Sequence, residues 1–124
     1  MNPKVSTKVL LINPPRTPIG GRIPKVQIPP FDLLRIGSSL SDAGFEANLL
    51  DAESNAMSLF DIVRACRKQA PQYVMLETAR AAPLHATLLV LCSMLKFAMP
   101  NLVIIYVDAS RTHRFVELSK CLNC

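Results

Sequence analysis

The chain has no tryptophan, and only 6% of its 124 residues are aromatic. That argues against a reader of single-stranded nucleic acid, which stacks bases on aromatic side chains along a basic groove. Glycine is scarce too. There are four, and the one pair, Gly20-Gly21, lies in mid-loop with no helix directly after it. A phosphate-cradling loop needs a strand before it and a helix start behind it, so no such loop is read here. No nucleophile elbow and no His-Glu-x-x-His occurs, and most of the acids stand singly, which leaves no catalytic constellation in this chain.

Cysteine is also sparse. Cys66 and Cys92 fall inside apolar helical patterns, where a reduced thiol packs as a small hydrophobe. Cys121 and Cys124 make one C-x-x-C, two ligands where a structural zinc site takes four. The set does not read as a secreted disulfide framework. No signal-peptide pattern opens the sequence. The most apolar stretch, Leu84 to Met99, contains His85 and Lys96 and falls short of the roughly 20 residues that a membrane span needs. A core helix is expected there, with no membrane segment and a cytoplasmic location.

Acid is missing from the first thirty residues, which carry Lys4, Lys8, Arg16, Arg22 and Lys25. The other 94 (124 − 30) hold nine basic and nine acidic side chains, so the whole net charge of +5 sits in the opening of the chain and its first loop. A nucleic-acid reader spreads such charge along a face, so nucleic acid is not expected as a partner.

Half of the residues are hydrophobic, mainly valine, isoleucine, leucine and alanine, and the length suits one domain. The pattern alternates strand and helix. A first strand spans Lys8 to Asn13 and stops at Pro14-Pro15, because proline lacks the ladder donor. A helix begins near Phe31, with Leu33, Ile36, Gly37 and Leu40 at helical spacing, and ends at Ala43-Gly44. A second strand covers Glu46 to Asp51. Ser58 with Asp61 three residues on caps a second helix whose buried stripe is Leu59, Ile62, Val63 and Cys66, and Pro71 stops it. A third strand covers Gln72 to Thr78, and a third helix runs from about Pro83 to Met99. A fourth strand, Leu102 to Val107, is the most β-branched run and is expected to be covered on both faces. A fourth helix is expected from about Thr112, with Phe115, Val116 and Leu118.

This order implies a flavodoxin-like (Rossmann-type) doubly wound parallel sheet with right-handed crossovers, lacking a fifth strand. The missing strand leads us to expect a fragment, or a truncated relative of a longer protein. Ligands of such sheets bind beyond the carboxyl ends of the strands. The long loop from Pro14 to Pro30, stiffened by six prolines, is therefore read as a binding element.

An ordered set of motifs resembles the N-terminal cobalamin (B12)-binding domain of B12-dependent radical SAM proteins, a large group that includes anaerobic magnesium-protoporphyrin ester cyclases and many methyltransferases. The pieces are Val9-Leu10-Leu11-Ile12-Asn13-Pro14-Pro15, then Pro29-Pro30-Phe31-Asp32-Leu33-Leu34 leading into Leu40-Ser41-Asp42-Ala43-Gly44-Phe45. Leu49-Leu50-Asp51-Ala52, Ala70-Pro71-Gln72-Tyr73-Val74 and Met99-Pro100-Asn101 follow at matching intervals. The resemblance covers nearly the whole chain and implies a corrinoid cofactor, with cobalt as the metal it brings. It also implies a radical SAM domain in the same longer protein or in a partner. This chain contains no C-x-x-x-C-x-x-C, so no iron–sulfur cluster and no catalytic residue is assigned to it.

By the same resemblance the cofactor contacts fall on three loops: Asn13, Pro14, Pro15 and Arg16; Glu77, Thr78, Ala79, Arg80 and Ala81; and Asp108, Ala109 and Ser110. Two departures are specific. Val107-Asp108 stand where the family has a glycine pair, with Ser110 in place of its following histidine, and no Asp-x-His-x-x-Gly occurs. Two rivals follow: a cofactor-free interaction or regulatory module that kept the fold, or a small nucleotide- or flavin-binding flavodoxin-like domain. Asp51 reads as a turn former rather than a ligand, and neither His85 nor His113 has an evident metal partner.

Overall fold

A computed structural model of the chain describes residues 6–15, 30–77 and 84–107. The order is β1 (Lys8–Asn13), α1 (Phe31–Asp42), β2 (Glu46–Asp51), α2 (Leu59–Gln69), β3 (Tyr73–Glu77), α3 (Leu84–Ala98) and β4 (Val103–Val107). The four strands form one parallel sheet in the order β2-β1-β3-β4. Those are the first four places of the flavodoxin-like order. The fourth helix expected from Thr112 lies outside the described residues.

Strand order also explains where the helices sit. The chain moves from β1 to β2 in one direction, then crosses back over β1 to β3 and on to β4. Crossovers of one hand then place α1 on one face and α2 with α3 on the other. The packing follows this division. Leu10 and Ile12 of β1, Val74 and Leu76 of β3 and Tyr106 of β4 share a core with Ile62 and Cys66 of α2 and with Leu88, Leu91, Cys92 and Leu95 of α3. Leu11 points the other way, toward α1, where a methyl placed on Gly37 would lie 3.1 Å from its Cδ1.

Local sequence sets the ends of the elements. Ser58 and Asp61 form a full capping box: the Asp61 N–H donates to Ser58 Oγ at 3.1 Å, and the Ser58 N–H donates to Asp61 Oδ2 at 3.0 Å. At the other end, Ala70 takes up the left-handed conformation (φ 50°) and its N–H donates to the Cys66 carbonyl at 2.9 Å. Gly44, at φ 96°, closes α1.

Two expectations change. Composition implies a fourth strand covered on both faces, yet β4 is the last described strand of the sheet, with Val103 48% exposed and only Tyr106 buried. Its β-branched run reflects strand propensity, and the most buried strand is β1, which lies between β2 and β3. Of the stripe expected on α1, Leu33 alone is buried. The apolar stretch from Leu84 is a 15-residue core helix, and no described helix is long and apolar enough to cross a membrane.

Candidate functional site at the carboxyl rim of the sheet

β1, β2 and β3 finish at Asn13, Asp51 and Glu77, and the direction of winding reverses between β1 and β3. Open α/β sheets generally bind their ligands beyond the carboxyl ends of the strands at such a switch point.

Asn13, 2% exposed, ties the rim together. Its Nδ2 donates to Asp51 Oδ1 at 2.9 Å. The same oxygen accepts the Ser54 N–H at 3.1 Å, and Asp51 Oδ2 accepts Ser54 Oγ–H at 2.8 Å. The Asn13 carbonyl in turn accepts the N–H groups of Ala52 (3.0 Å) and Glu53 (3.3 Å). Asp51 thus organises the turn after β2, the structural role expected of it. That turn holds Ala56 at φ 51° and closes with the Met57 N–H on the Ala52 carbonyl at 3.0 Å. The pairing of Asn13 with Asp51 spans 38 positions of sequence, and only the register of β1 on β2 reveals it.

Beyond Asn13, Pro14 is fully buried and Pro15 half-buried, so the chain leaves β1 through a rigid, largely desolvated step. Glu77 is buried at the end of β3. The structure therefore brings Asn13, Pro14, Pro15 and Glu77 to one end of the sheet. The other expected contacts, Arg16, Thr78, Ala79, Arg80, Ala81, Asp108, Ala109 and Ser110, lie outside the described residues, as do Arg22, Lys25 and His113. Among the described residues, the strand ends present two carboxylates, Asp51 and Glu77, and no group of three or more metal-ligating side chains.

Two thiols, Cys66 and Cys92, are buried in the core. Burial pushes Cys66 up to about 11. Cys92 is also pushed up to about 11 by burial, against a hydrogen bond from Tyr106. The Tyr106 hydroxyl is itself raised, by burial first and then by the neighbouring Cys92 sulfur. Protonated thiols of this kind are inert packing groups.

Fold and rim define a class: a doubly wound parallel α/β domain with its switch point between the first and third strands. A particular relative stands beside that class. Over 111 residues the chain is 36% identical to the anaerobic magnesium-protoporphyrin IX monomethyl ester cyclase of Synechocystis sp., a stretch that covers 90% of this chain and 22% of that protein. No protein-family model matches the chain, and no solved structure does.

Proposed function

We propose that this chain is a cobalamin-binding domain, residues 1–124, that seats a corrinoid over the carboxyl rim of its sheet for radical SAM chemistry carried out by another domain. The observation that carries the reading is the similarity to the cyclase across nearly the whole chain, because it falls on a member of the same group that the motifs resemble. The described residues fit such a ligand in two respects. The carboxyl rim at the switch point between β1 and β3 is where open α/β sheets bind cofactors. Its floor is already organised: Asn13 and Asp51 satisfy one another, so seating a ligand strands neither group.

In this reading Asn13, Pro14, Pro15 and Arg16 after the first strand, Glu77 to Ala81 after the third and Asp108 to Ser110 after the fourth meet the cofactor. Arg16, with Arg22 and Lys25, faces the phosphate of its nucleotide tail, where charge-assisted bonds are the strong ones. When bound, cobalamin supplies a cobalt centre able to carry a methyl group; the protein supplies position and a protected face. A radical SAM domain, in the same longer polypeptide or in a partner, supplies the remaining chemistry.

The test is direct. Purified protein incubated with hydroxocobalamin and desalted is expected to keep the visible absorbance of the corrin at close to one equivalent. A folded protein that keeps none supports the second reading, a module that retained the fold and lost the ligand, which Val107-Asp108 in place of a glycine pair favours. Saturable binding of flavin mononucleotide instead would point to the flavodoxin-type alternative.

A further inference from the structure

The opposite end of the sheet carries a second feature that the cofactor reading leaves unused. A groove of about 530 Å³ crosses the amino ends of β3 and β4, between the last turns of α2 and α3. Its volume falls within the range of small-ligand and peptide pockets. Tyr73 (36% exposed) and Val103 (48% exposed) line it, with Met99 between the helix and the strand. Arg67 of α2 and the amide of Asn101 stand at its edge, and no carboxylate belongs to the lining. Both residues are exposed.

Helix C-termini normally give such a place a negative potential, because their last carbonyls point into it. Here that potential is offset. Lys96 places a cation in the last turn of α3, and its Nζ donates to the carbonyls of Leu102 (2.8 Å) and Pro100 (3.4 Å) in the segment that follows the helix. At the end of α2 the cations are Arg67 and Lys68. Lys96 is thus committed to the backbone, whereas Arg67 has no ion pair among the described residues and remains available to a ligand. An apolar strip of Tyr73, Met99 and Val103 beside a single accessible guanidinium, with no acid in the lining, favours an occupant that sets an apolar side chain next to a carboxylate.

We propose that this groove docks an acidic segment of a protein partner, an apolar side chain lying against Tyr73, Met99 and Val103 while a carboxylate meets Arg67. A nucleic acid fits less well, since one cation in an apolar cleft neither tracks a backbone nor stacks bases. A membrane surface is flat and does not enter a cleft. The site lies at the far end of the strands from the rim, so it stands independently of the cofactor reading.

The experiment uses the whole chain and a fluorescein-labelled octapeptide carrying leucine, phenylalanine and three glutamates, read by anisotropy. Saturable binding is expected, weakening about tenfold when glutamine replaces the glutamates and falling as salt is raised. Arg67→Glu and Asn101→Asp, both at exposed positions, are each expected to weaken it about tenfold. Arg64→Glu, exposed on the same helix but outside the groove, is expected to leave it within twofold. Circular dichroism checks that each variant is folded. Absence of binding overturns the proposal. So does an equal loss in Arg64→Glu, which would report net charge rather than the groove. Tighter binding to a duplex DNA or to phosphatidylglycerol vesicles, lost in the same groove variants, overturns it in favour of those partners.

Discussion

Asn13 serves three neighbours at once, through its amide to Asp51 and through its carbonyl to Ala52 and Glu53. Removing the Asn13 amide leaves Asp51 Oδ1 with the Ser54 N–H alone, and losing a part-buried hydrogen bond to a carboxyl group typically costs about 1–3 kcal/mol. Asn13→Ala is therefore expected to lower stability in urea unfolding by about that much. Asn13→Asp is expected to cost more, because it sets a second carboxylate against Asp51. A loss below about 0.5 kcal/mol in both would mean that the pair does not hold the rim. The buried thiols give a pH dependence at the same scale. An ordinary thiol ionises near 9, whereas Cys66 and Cys92 hold their protons to about 11 in the folded chain. The unfolded chain thus releases these protons first. The stability they contribute is complete below about pH 9 and is lost as the pH rises through about 11. Between those limits each thiol weakens the fold by roughly 1.4 kcal/mol for every pH unit. Urea midpoints at pH 7 and pH 10.5 should show a steep fall that shrinks in the Cys66→Ala, Cys92→Ala double variant.

Elements were legible in the sequence wherever a local rule ended them. Pro14-Pro15 stops β1 at Asn13, and Ser58 with Asp61 starts α2 at Leu59, both where the chain itself implied. The covering of β4 was not legible, because an edge strand and a central one share the same β-branched composition and differ only in their neighbours. Nor was the partner of Asn13, which depends on register. Of the candidate site, the placement at the strand ends could be read from the alternation of elements, but which polar groups satisfy one another could not. The cap of α2 offers two tests of opposite sign. Ser58→Ala removes the acceptor of the Asp61 N–H and is expected to cost about 1 kcal/mol. The hydrogen bonds from Ser58, its backbone N–H first, hold the Asp61 carboxyl below its ordinary value, so the contribution of that charge is present at neutral pH and fades as the pH falls below the carboxylate range. At the other end Ala70 bears the cost of a left-handed conformation, so Ala70→Gly is expected to raise stability by up to about 1 kcal/mol. Thermal unfolding of the two variants, shifting in opposite directions, checks the pair.

For the whole molecule, the distribution of charge matters more than its sum. The excess of +5 belongs entirely to residues 1–30, while the described strand ends contribute the carboxylates of Asp51 and Glu77. If the first loop meets an anionic ligand at the rim, its cations attract that ligand against the acids there, and reversing the loop's charge reverses the balance. In the cofactor reading, changing Arg16, Arg22 and Lys25 together to glutamate moves the net charge by six, from +5 to −1. It places repulsion where the phosphate of the nucleotide tail would lie. Hydroxocobalamin retention is expected to fall at least tenfold, and the loss relative to the parent to narrow as salt screens the loop. Cobinamide, which lacks the nucleotide tail, separates this cause from a general loss of the site: the triple variant should bind it about as well as the parent does. Equal losses for both ligands would mean that the loop shapes the site rather than reading the phosphate. Because Arg67 lies beyond the other end of the strands, Arg67→Glu should leave both titrations unchanged, which makes the two ends of the sheet separately testable in one protein.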